Sequence, residues 1–237
     1  FLAAMPCLNA AEVFTDTKPL KVGLVGCGGR GLGAMKNALD ADPGTMVWAL
    51  ADVFQERIDF GAKLLAEQYG NRAQLDRSRL FSGLDSYKRL LQTDIDVVLL
   101  CTPPAFRPEH LAAAIDASKH IYAEKPVAVD VPGVLSVLES ARLAKLKNLV
   151  ILDGFCWRYD KANEEAHRKL SSGLLGRVLS FDGLYYTTPP KSPLALDSRP
   201  SSDTDVAWAL RNWTAWNWLS GGQFVEQIVH TIDGMVW

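Results

Sequence analysis

The chain has 237 residues and is close to neutral, with 25 Lys and Arg residues, 27 Asp and Glu residues and a formal net charge of −2. Its hydrophobic content of 48% is typical of a globular protein with a large core. The lack of a basic excess argues against nucleic acid as a partner. No apolar run approaches the roughly 18 to 20 residues that a membrane span needs, so no membrane partner is expected.

Four cysteines are scattered along the chain, without the spacing of a zinc site or the density of a disulfide scaffold. We expect them to be small buried hydrophobic residues, and we expect no metal site. They are Cys7, Cys27, Cys101 and Cys156.

Residues 1–19 are interpreted as an N-terminal tail. Residues 1–11 are apolar and rich in small side chains, as at the end of an export signal, although no positively charged segment precedes them in this sequence. Two interpretations of localisation stay open. The protein is cytoplasmic by default, and it is periplasmic or otherwise exported if residues 1–11 are the remnant of a signal peptide.

Residues 20–155 alternate short apolar runs with amphipathic stretches, which predicts an α/β fold with a doubly wound parallel sheet of the Rossmann type. The predicted strands are 21–25, 46–51, 97–101, 120–123 and 149–155, and the predicted helices are 55–69, 108–118 and 132–145. Two helices carry apolar stripes that we expect to cover the sheet, namely Ile58, Ala62, Leu65 and Ala66 in the first and Val134, Leu135, Leu138 and Ala141 in the last.

A glycine-rich loop follows the first predicted strand. The sequence from Gly26 to Gly31 fits G-x-G-x-x-G between a strand and a helix, the context in which that pattern binds dinucleotides. We expect Gly26 to allow the tight turn, Gly28 to admit a pyrophosphate and Gly31 to allow close packing of the helix on the strand. The same loop contributes Gly29 and Arg30 to the predicted cofactor site. A plain glycine turn is the alternative.

Asp52 ends the second predicted strand, roughly 20 residues past the loop, where an acidic residue accepts hydrogen bonds from the ribose hydroxyls of NAD. A 2′-phosphate would be repelled there, so NAD is predicted over NADP, although Arg30 and Arg57 lie close enough in sequence to shelter such a phosphate. The alternative role for Asp52 is the N-cap of the next helix.

Two further loops follow predicted strands and should face the same ligand, because ligands of open α/β sheets bind at the carboxyl ends of strands. Thr102 and Pro103 begin one of them, with His110 in the helix beyond. Glu124 and Lys125 begin the other, where Lys125 would hydrogen-bond a substrate hydroxyl. The alternative for Thr102 and Pro103 is a segment that only leads into the next helix. The alternative for His110 is a solvated side chain in the first turn of that helix, and the alternative for Lys125 is a solvated side chain paired with Glu124.

Taken together, these segments resemble the glucose-fructose oxidoreductase, inositol dehydrogenase and rhizopine catabolism (Gfo/Idh/MocA) family of oxidoreductases. The glycine loop, Asp52, the Thr-Pro…His segment and Glu124-Lys125-Pro126 match its motifs in order. Later segments at 157–159, 173–178 and 221–230 are similar to its second domain. The resemblance covers most of the chain.

The resemblance implies a catalytic group made of Lys125, Glu226 and His230, with Arg158 helping to bind the substrate. The family usually has Asp at the position of Glu226, whose side chain is one methylene longer, and the resemblance implies His230 as the base. From the spacing alone, Glu226 and His230 share one face of a helix, and a surface ion pair or two metal ligands are alternatives, although no third ligand has a recognisable spacing.

Residues 156–237 are predicted to begin an α+β substrate domain that is incomplete in this sequence. A helix at 161–171, a single strand at 178–186, a Pro/Ser-rich connection at 187–205 and a helix from 222 are expected. The resemblance implies a larger sheet that also forms the subunit interface, so a homo-oligomer is expected. Five tryptophans in this part are expected in core or interface packing, with one or two able to stack on a sugar: Trp208, Trp213, Trp216, Trp218 and Trp237.

The leading hypothesis is an NAD-dependent enzyme that oxidises a secondary alcohol of a sugar, cyclitol or related polyol. A glycoside hydrolase that works through transient oxidation of the sugar uses the same cofactor site and stays open. A non-catalytic sensor of NAD or sugar is a third hypothesis, which the presence of both Lys125 and His230 argues against.

Overall fold

The computed structural model describes residues 18–187 and 193–237. Residues 1–17 of the predicted tail, which include Cys7 and the segment interpreted as the remnant of an export signal, lie outside the described residues. Residues 188–192 of the predicted Pro/Ser-rich connection lie outside them as well.

Six parallel strands form one sheet in the order β3-β2-β1-β4-β5-β6, the order of a doubly wound dinucleotide-binding sheet. The strand order reverses between β1 and β4, and all the strands point their carboxyl ends to one edge. The strands are β1 (Leu20–Val25), β2 (Thr45–Asp52), β3 (Leu80–Ser82), β4 (Val97–Leu100), β5 (His120–Ala123) and β6 (Ile151–Asp153). The predicted fold class of the first domain is confirmed.

The helices are α1 (Gly29–Ala41), α2 (Gln55–Tyr69), α3 (Ser86–Leu91), α4 (Arg107–Asp116), α5 (Val131–Leu146), α6 (Lys161–Ser171), α7 (Asp205–Arg211), α8 (Asn217–Ser220) and α9 (Val229–Val236). Side chains cap three of them in the way the sequence favours, with Thr204 accepting from Ala207 N before α7. Asp130 accepts from Gly133 N at 2.8 Å before α5, and Asp160 accepts from Ala162 N at 3.0 Å before α6.

Two apolar layers pack on the two faces of the sheet. Leu24, Met35, Ile58 and Leu65 belong to one layer, which joins the sheet to α1 and α2. The other layer joins the sheet to α3 and α4. Ile58 and Leu65 are fully buried, and Ala62 and Ala66 are half-buried, so the predicted stripe of α2 is confirmed.

The stripe predicted for α5 is wrong. Val134, Leu135 and Leu138 are 42%, 61% and 62% exposed, and Ala141 is exposed too, whereas the buried residues of this helix include Ala144. The helix instead packs its smaller residues toward α4. A side chain at Gly133 would meet Ala128 and Pro108, which shows how close that approach is.

The second half differs from the prediction at two places. Residues 178–186 form neither a strand nor a helix, because no strand among the described residues lies beside them to complete a ladder. The short helices α7 and α8 were not predicted. They pack on the first domain through Leu210 and Leu219, which form a small buried cluster with Phe54 at the start of α2.

No helix in the parts of the chain that the structure describes has the length and apolar character needed to cross a bilayer.

The orientation of α5 has a measurable consequence. In this chain, Leu138→Ser should change the free energy of unfolding by no more than about 0.5 kcal/mol, because an exposed side chain loses no packing. Leu65→Ala in α2 should cost about 2–5 kcal/mol, because it removes a fully buried side chain. Urea unfolding followed by circular dichroism measures both, and comparable losses in the two variants would contradict the observed orientation.

Candidate active site

The glycine loop between β1 and α1 is held close to the end of β4. Gly26 has φ +99°, and a Cβ there would lie 2.7 Å from the carbonyl carbon of Cys101. A Cβ at Gly31 would lie 1.9 Å from the oxygen of Gly26. At Gly28 and Gly29, by contrast, a Cβ would meet nothing within 4 Å. The loop therefore packs tightly on the protein at its two ends and is open at its middle, where α1 begins.

Asp52 fastens this loop to the start of α2. Its Oδ2 accepts from Cys27 N at 2.7 Å and its Oδ1 accepts from Phe54 N at 3.0 Å. Burial raises the pKa of Asp52, while these amides and the charge of Arg57 oppose that rise. Asp52 does not cap α2 with its side chain, because Phe54 occupies the N-cap position. Both carboxylate oxygens are thus engaged by backbone amides at the mouth of the loop.

One cavity, which we call the loop cavity, contains nine of the residues predicted to hold a cofactor. Leu210 and Trp213, from the second half of the chain, also line it. The predicted residues in it are Gly26, Gly28, Gly29, Arg30, Gly31, Asp52, Thr102, Pro103 and His110.

His110 is a buried member of the loop cavity rather than a solvated residue of the first helical turn. Its Nδ1 lies 3.2 Å from Oγ1 of Thr102, and its ring lies 4.1 Å from that of Tyr87. Burial lowers the pKa of His110 to about 4. The imidazole is therefore neutral at ordinary pH and helps to wall the cavity.

Glu124 pairs with Arg30 and not with Lys125. Its Oε1 accepts from Arg30 Nε at 2.6 Å and from the hydroxyl of Tyr122 at 2.6 Å, and the residue is 6% exposed. This network ties the first turn of α1 to the end of β5. Arg30 is consequently held at the boundary between the loop cavity and the neighbouring one.

The neighbouring cavity brings together Lys125, Glu226 and His230, and we call it the lysine cavity. It shares Arg30, Cys101, Thr102 and Trp213 with the loop cavity, so the two adjoin. Lys125 Nζ donates to the backbone oxygen of Glu226 at 2.6 Å and lies 3.4 Å from its Oε2. Glu226 belongs to a π-helical turn, Phe224–Ile228, that leads into α9.

The lysine cavity changes the proton affinity of two of its residues. Burial raises the pKa of Glu226, against the opposing charges of Lys125 and Arg107. Burial and then the charge of Lys125 lower the pKa of His230. An imidazole with a lowered pKa is neutral at pH 7 and can accept a proton, which is the state that a general base needs.

Arg158 does not line either of these two cavities. Its guanidinium is paired with Asp233, and it borders a third cavity on the far side of His230. The resemblance implied that Arg158 helps to bind the substrate, but the structure does not bring it to the same cavity as Lys125.

Two residues of the site were missed by the sequence analysis. Arg107 is 2% exposed and donates to the backbone oxygens of Thr102 and Pro126, which joins the two loops that carry Thr102 and Lys125. Trp213 borders both cavities from a distant part of the chain. An arginine in the first turn of a helix is usually solvated, so the sequence does not indicate that Arg107 is buried. The residues around Trp213 form no pattern that indicates either cavity.

In residues 18–187 and 193–237, no group of three or more His, Cys, Asp or Glu side chains is arranged to hold a metal ion. Of the predicted buried thiols, Cys27 is buried and Cys101 is partly buried, but Cys156 is exposed, contrary to expectation.

The geometry of the loop predicts a contrast between two glycines. Gly31→Ala should lower the free energy of unfolding by about 1–3 kcal/mol, because the new methyl group collides with the backbone of Gly26. Gly29→Ala should leave it within about 0.5 kcal/mol, because the space is open. Thermal unfolding of the two variants provides the measurement. Equal stability would mean that the loop is not packed as described.

The chain is similar to many known proteins, of which three are described here. A dTDP-3,4-didehydro-2,6-dideoxy-alpha-D-glucose 3-reductase of Actinomadura kijaniata is 28% identical over 177 residues, which cover 74% of this chain and 48% of that protein. A glycosyl hydrolase family 109 protein of Streptomyces coelicolor is 32% identical over 175 residues, covering 73% and 35%. The scyllo-inositol dehydrogenase of Lactobacillus casei, solved with NAD(H) and scyllo-inositol, has a TM-score of 0.64 at 22% identity, covering 93% and 56%.

The chain spans about half the length of the curated relatives that it matches. The family model for the oxidoreductase family with an NAD-binding Rossmann fold matches residues 20–152, more than half of the chain. This range includes the glycine loop, Lys125 and all of the sheet except the last residue of β6. The chain therefore belongs to the Gfo/Idh/MocA oxidoreductase family.

Proposed function

We propose that the complete protein is a nicotinamide-dependent oxidoreductase that removes a hydride from a secondary alcohol of a sugar, cyclitol or related polyol. The observation that carries this proposal is the convergence of Lys125, Glu226 and His230 on a cavity that adjoins the glycine-loop cavity. These three residues come from two distant parts of the sequence. The curated relative that reduces a dTDP-linked keto sugar supports the same reaction class.

The loop cavity fits a dinucleotide. The middle of the loop is open and α1 begins there, so free backbone amides at the helix N-terminus would face a pyrophosphate. Gly28, Gly29, Arg30 and Gly31 would hold the pyrophosphate, and Thr102, Pro103 and His110 would wall the nucleotide. When bound, the nicotinamide supplies the hydride acceptor.

The proposed roles in the lysine cavity follow from charge and burial. His230, neutral because its pKa is lowered, would take the proton of the substrate hydroxyl. Lys125 would donate a hydrogen bond to the same oxygen and stabilise the negative charge that develops there. Glu226 contacts Lys125 in this structure. It would orient the ammonium group of Lys125 and accept a hydrogen bond from a neighbouring hydroxyl of the substrate.

NAD is proposed as the cofactor, with NADP less favoured. Asp52 lies in the loop cavity at the carboxyl end of β2, where its negative charge would repel a 2′-phosphate. Arg57 lines the same cavity, and its positive charge would favour NADP. Arg30 is less available for that purpose because Glu124 and Tyr122 hold it.

The proposed partner is a small sugar or polyol, and we propose that the complete protein is a homo-oligomer that assembles through its second domain. Light scattering of the complete protein tests the oligomer. A monomer at micromolar concentration would refute it.

The catalytic roles predict a loss of turnover. Lys125→Met and His230→Asn should each lower kcat of the complete protein by about a hundredfold or more, because each removes a group that acts on the reacting oxygen. In the unmodified protein, activity should fall only below pH 6.5, since the pKa of His230 lies below its ordinary value of 6.5 and the base is lost when it is protonated.

Production of NADH, followed by its absorbance with a panel of polyols, measures these effects. Lys145→Met is the matched control, because Lys145 is an exposed residue of α5. Near-normal turnover in Lys125→Met or His230→Asn would refute the assigned roles.

The cofactor assignment predicts tighter binding of NAD than of NADP, measured by calorimetric titration. Asp52→Ala should remove that preference and weaken both cofactors, because it also frees the buried amides of Cys27 and Phe54. Arg57→Gln should leave the affinity for NAD unchanged. Tighter binding of NADP by the unmodified protein would overturn the assignment.

A glycoside hydrolase that oxidises its sugar transiently is the second candidate, favoured by the similarity to the family 109 protein. Its cofactor would be reduced and reoxidised within one cycle. Release of an aglycone without net formation of NADH would establish this candidate in place of the dehydrogenase.

A further inference from the structure

An ion pair on the far side of His230 joins two separate segments of the chain. Arg158 lies in the 3-10 turn Cys156–Tyr159 that follows β6, and Asp233 lies in α9. Arg158 Nε donates to Asp233 Oδ2 at 2.8 Å, and its Nη2 donates to Oδ1 at 2.6 Å. A bidentate pair of this kind fixes the orientation of both partners as well as their distance.

The same two segments also meet through a pair of stacked rings. Trp157, next to Arg158 in sequence, stacks on His230, one turn before Asp233, with 4.9 Å between the ring centroids and 24° between the planes. Phe155 approaches the imidazole edge-on at 6.1 Å. The ion pair and the stack therefore connect one turn to one helix.

The imidazole of His230 is held by packing against aromatic rings. His230 is 8% exposed, and in the part of the chain that the structure describes its Nδ1 is buried without a hydrogen-bond partner. A catalytic histidine is commonly oriented by a hydrogen bond to its second nitrogen. Here aromatic rings surround the imidazole instead, and Trp157, at 4.9 Å, lies nearer to it than Phe155 at 6.1 Å or Tyr185 at 6.4 Å.

We propose that Arg158 and Asp233 are positioning residues whose ion pair clamps Trp157 against His230 and so holds the imidazole at the edge of the lysine cavity. The proposal rests on the function proposed above for His230. It assigns Arg158 to the support of the base rather than to the substrate, in agreement with its absence from the lining of the lysine cavity.

The direction in which the pKa of His230 changes in variants can test the proposal, because several charged and titratable groups surround this residue. Lys125 and Glu124 face it from the end of β5, and Glu226 and Asp233 lie on its own helical segment. The other titratable side chains that line the two cavities it borders, or whose ring stacks on it, are Arg30, Cys101, Arg107, Cys156, Arg158, His167, Asp182 and Tyr185. Burial and Lys125 lower the pKa of His230, whereas Asp233 and Glu124 raise it.

Two explanations of Asp233 therefore predict opposite results for Asp233→Asn. If Asp233 acted only through its charge, its loss would lower the pKa of His230 further. If the ion pair clamps the stack, its loss lets the imidazole reach water, and the pKa of His230 rises toward 6.5.

The test is an NMR titration of the imidazole protons in this chain, which has four histidines. His230→Asn identifies the signal of His230. We expect both Asp233→Asn and Arg158→Gln to raise the pKa of His230. Arg142→Gln, which breaks the exposed pair with Glu139 on α5, should leave it unchanged. A pKa that falls or stays constant in Asp233→Asn overturns the proposal.

Arg158→Lys and Asp233→Glu extend the test to variants that keep the charges and lose the bidentate geometry. They should shift the pKa in the same direction by a smaller amount. If Asp233→Asn does not fold, as judged by circular dichroism, these two variants decide, and an unshifted pKa in both refutes the clamp.

Kinetics of the complete protein supply the second readout. Asp233→Asn should lower kcat by about tenfold to a hundredfold with the KM for NAD unchanged, because the base is misplaced while the cofactor site is intact. A raised pKa with an unchanged kcat would refute the positioning role. If the unmodified protein lacks dehydrogenase activity, the proposed function fails, whereas the titration still decides whether the clamp exists.

Discussion

The contact between Lys125 and Glu226 joins the two halves of the candidate site. Lys125 follows β5 and Glu226 belongs to the π-helical turn before α9, and the ammonium nitrogen lies 2.6 Å from the backbone oxygen of Glu226. Both side chains are largely buried, at 15% and 16% exposed. A charge withdrawn from water needs a partner, so this pair constrains where α9 can lie against the sheet. His230, in α9, lines the lysine cavity in this arrangement.

The buried charges around this contact account for the chemistry of the cavity. Arg107 is enclosed beneath the two loops and is bonded to backbone oxygens, so its charge acts on the carboxylates of Glu124 and Glu226 from a short distance. Glu124 is already satisfied by Arg30 and Tyr122. Burial and then the charge of Lys125 lower the pKa of His230, so its imidazole is neutral at pH 7 and can accept a proton.

Much of the first domain could be predicted from the sequence because its signals are local. The bounds of α2 and β5 agree with the prediction, and the glycine loop has both its expected context and its expected close contacts. The strand β3, with three residues, is too short to give a periodic pattern. The apolar residues of α5 recur at a spacing that fits either of two helix faces. Which face is buried depends on how closely α4 approaches.

The candidate site could be predicted in part for the same reason. Residues that follow strands meet at one edge of a parallel sheet, so the sequence was sufficient to predict that Asp52, Thr102 and Lys125 belong to the site. Trp213 and Asp233 were not, because their positions depend on how α7 and α9 return to the first domain. The segment 178–186 has the composition of a strand but no neighbouring strand among the described residues. Composition alone does not show whether a neighbouring strand is present.

The most direct test of the central claim is to follow a deuterium label from substrate to cofactor. The complete protein would be incubated with NAD and a polyol deuterated at its carbinol carbons, and the nicotinamide product would be analysed by mass spectrometry. We expect reduced NAD that carries one deuterium, because the hydride passes directly from the substrate carbon. Cleavage of a glycoside with no net reduced cofactor, or reduced cofactor without deuterium, would contradict it.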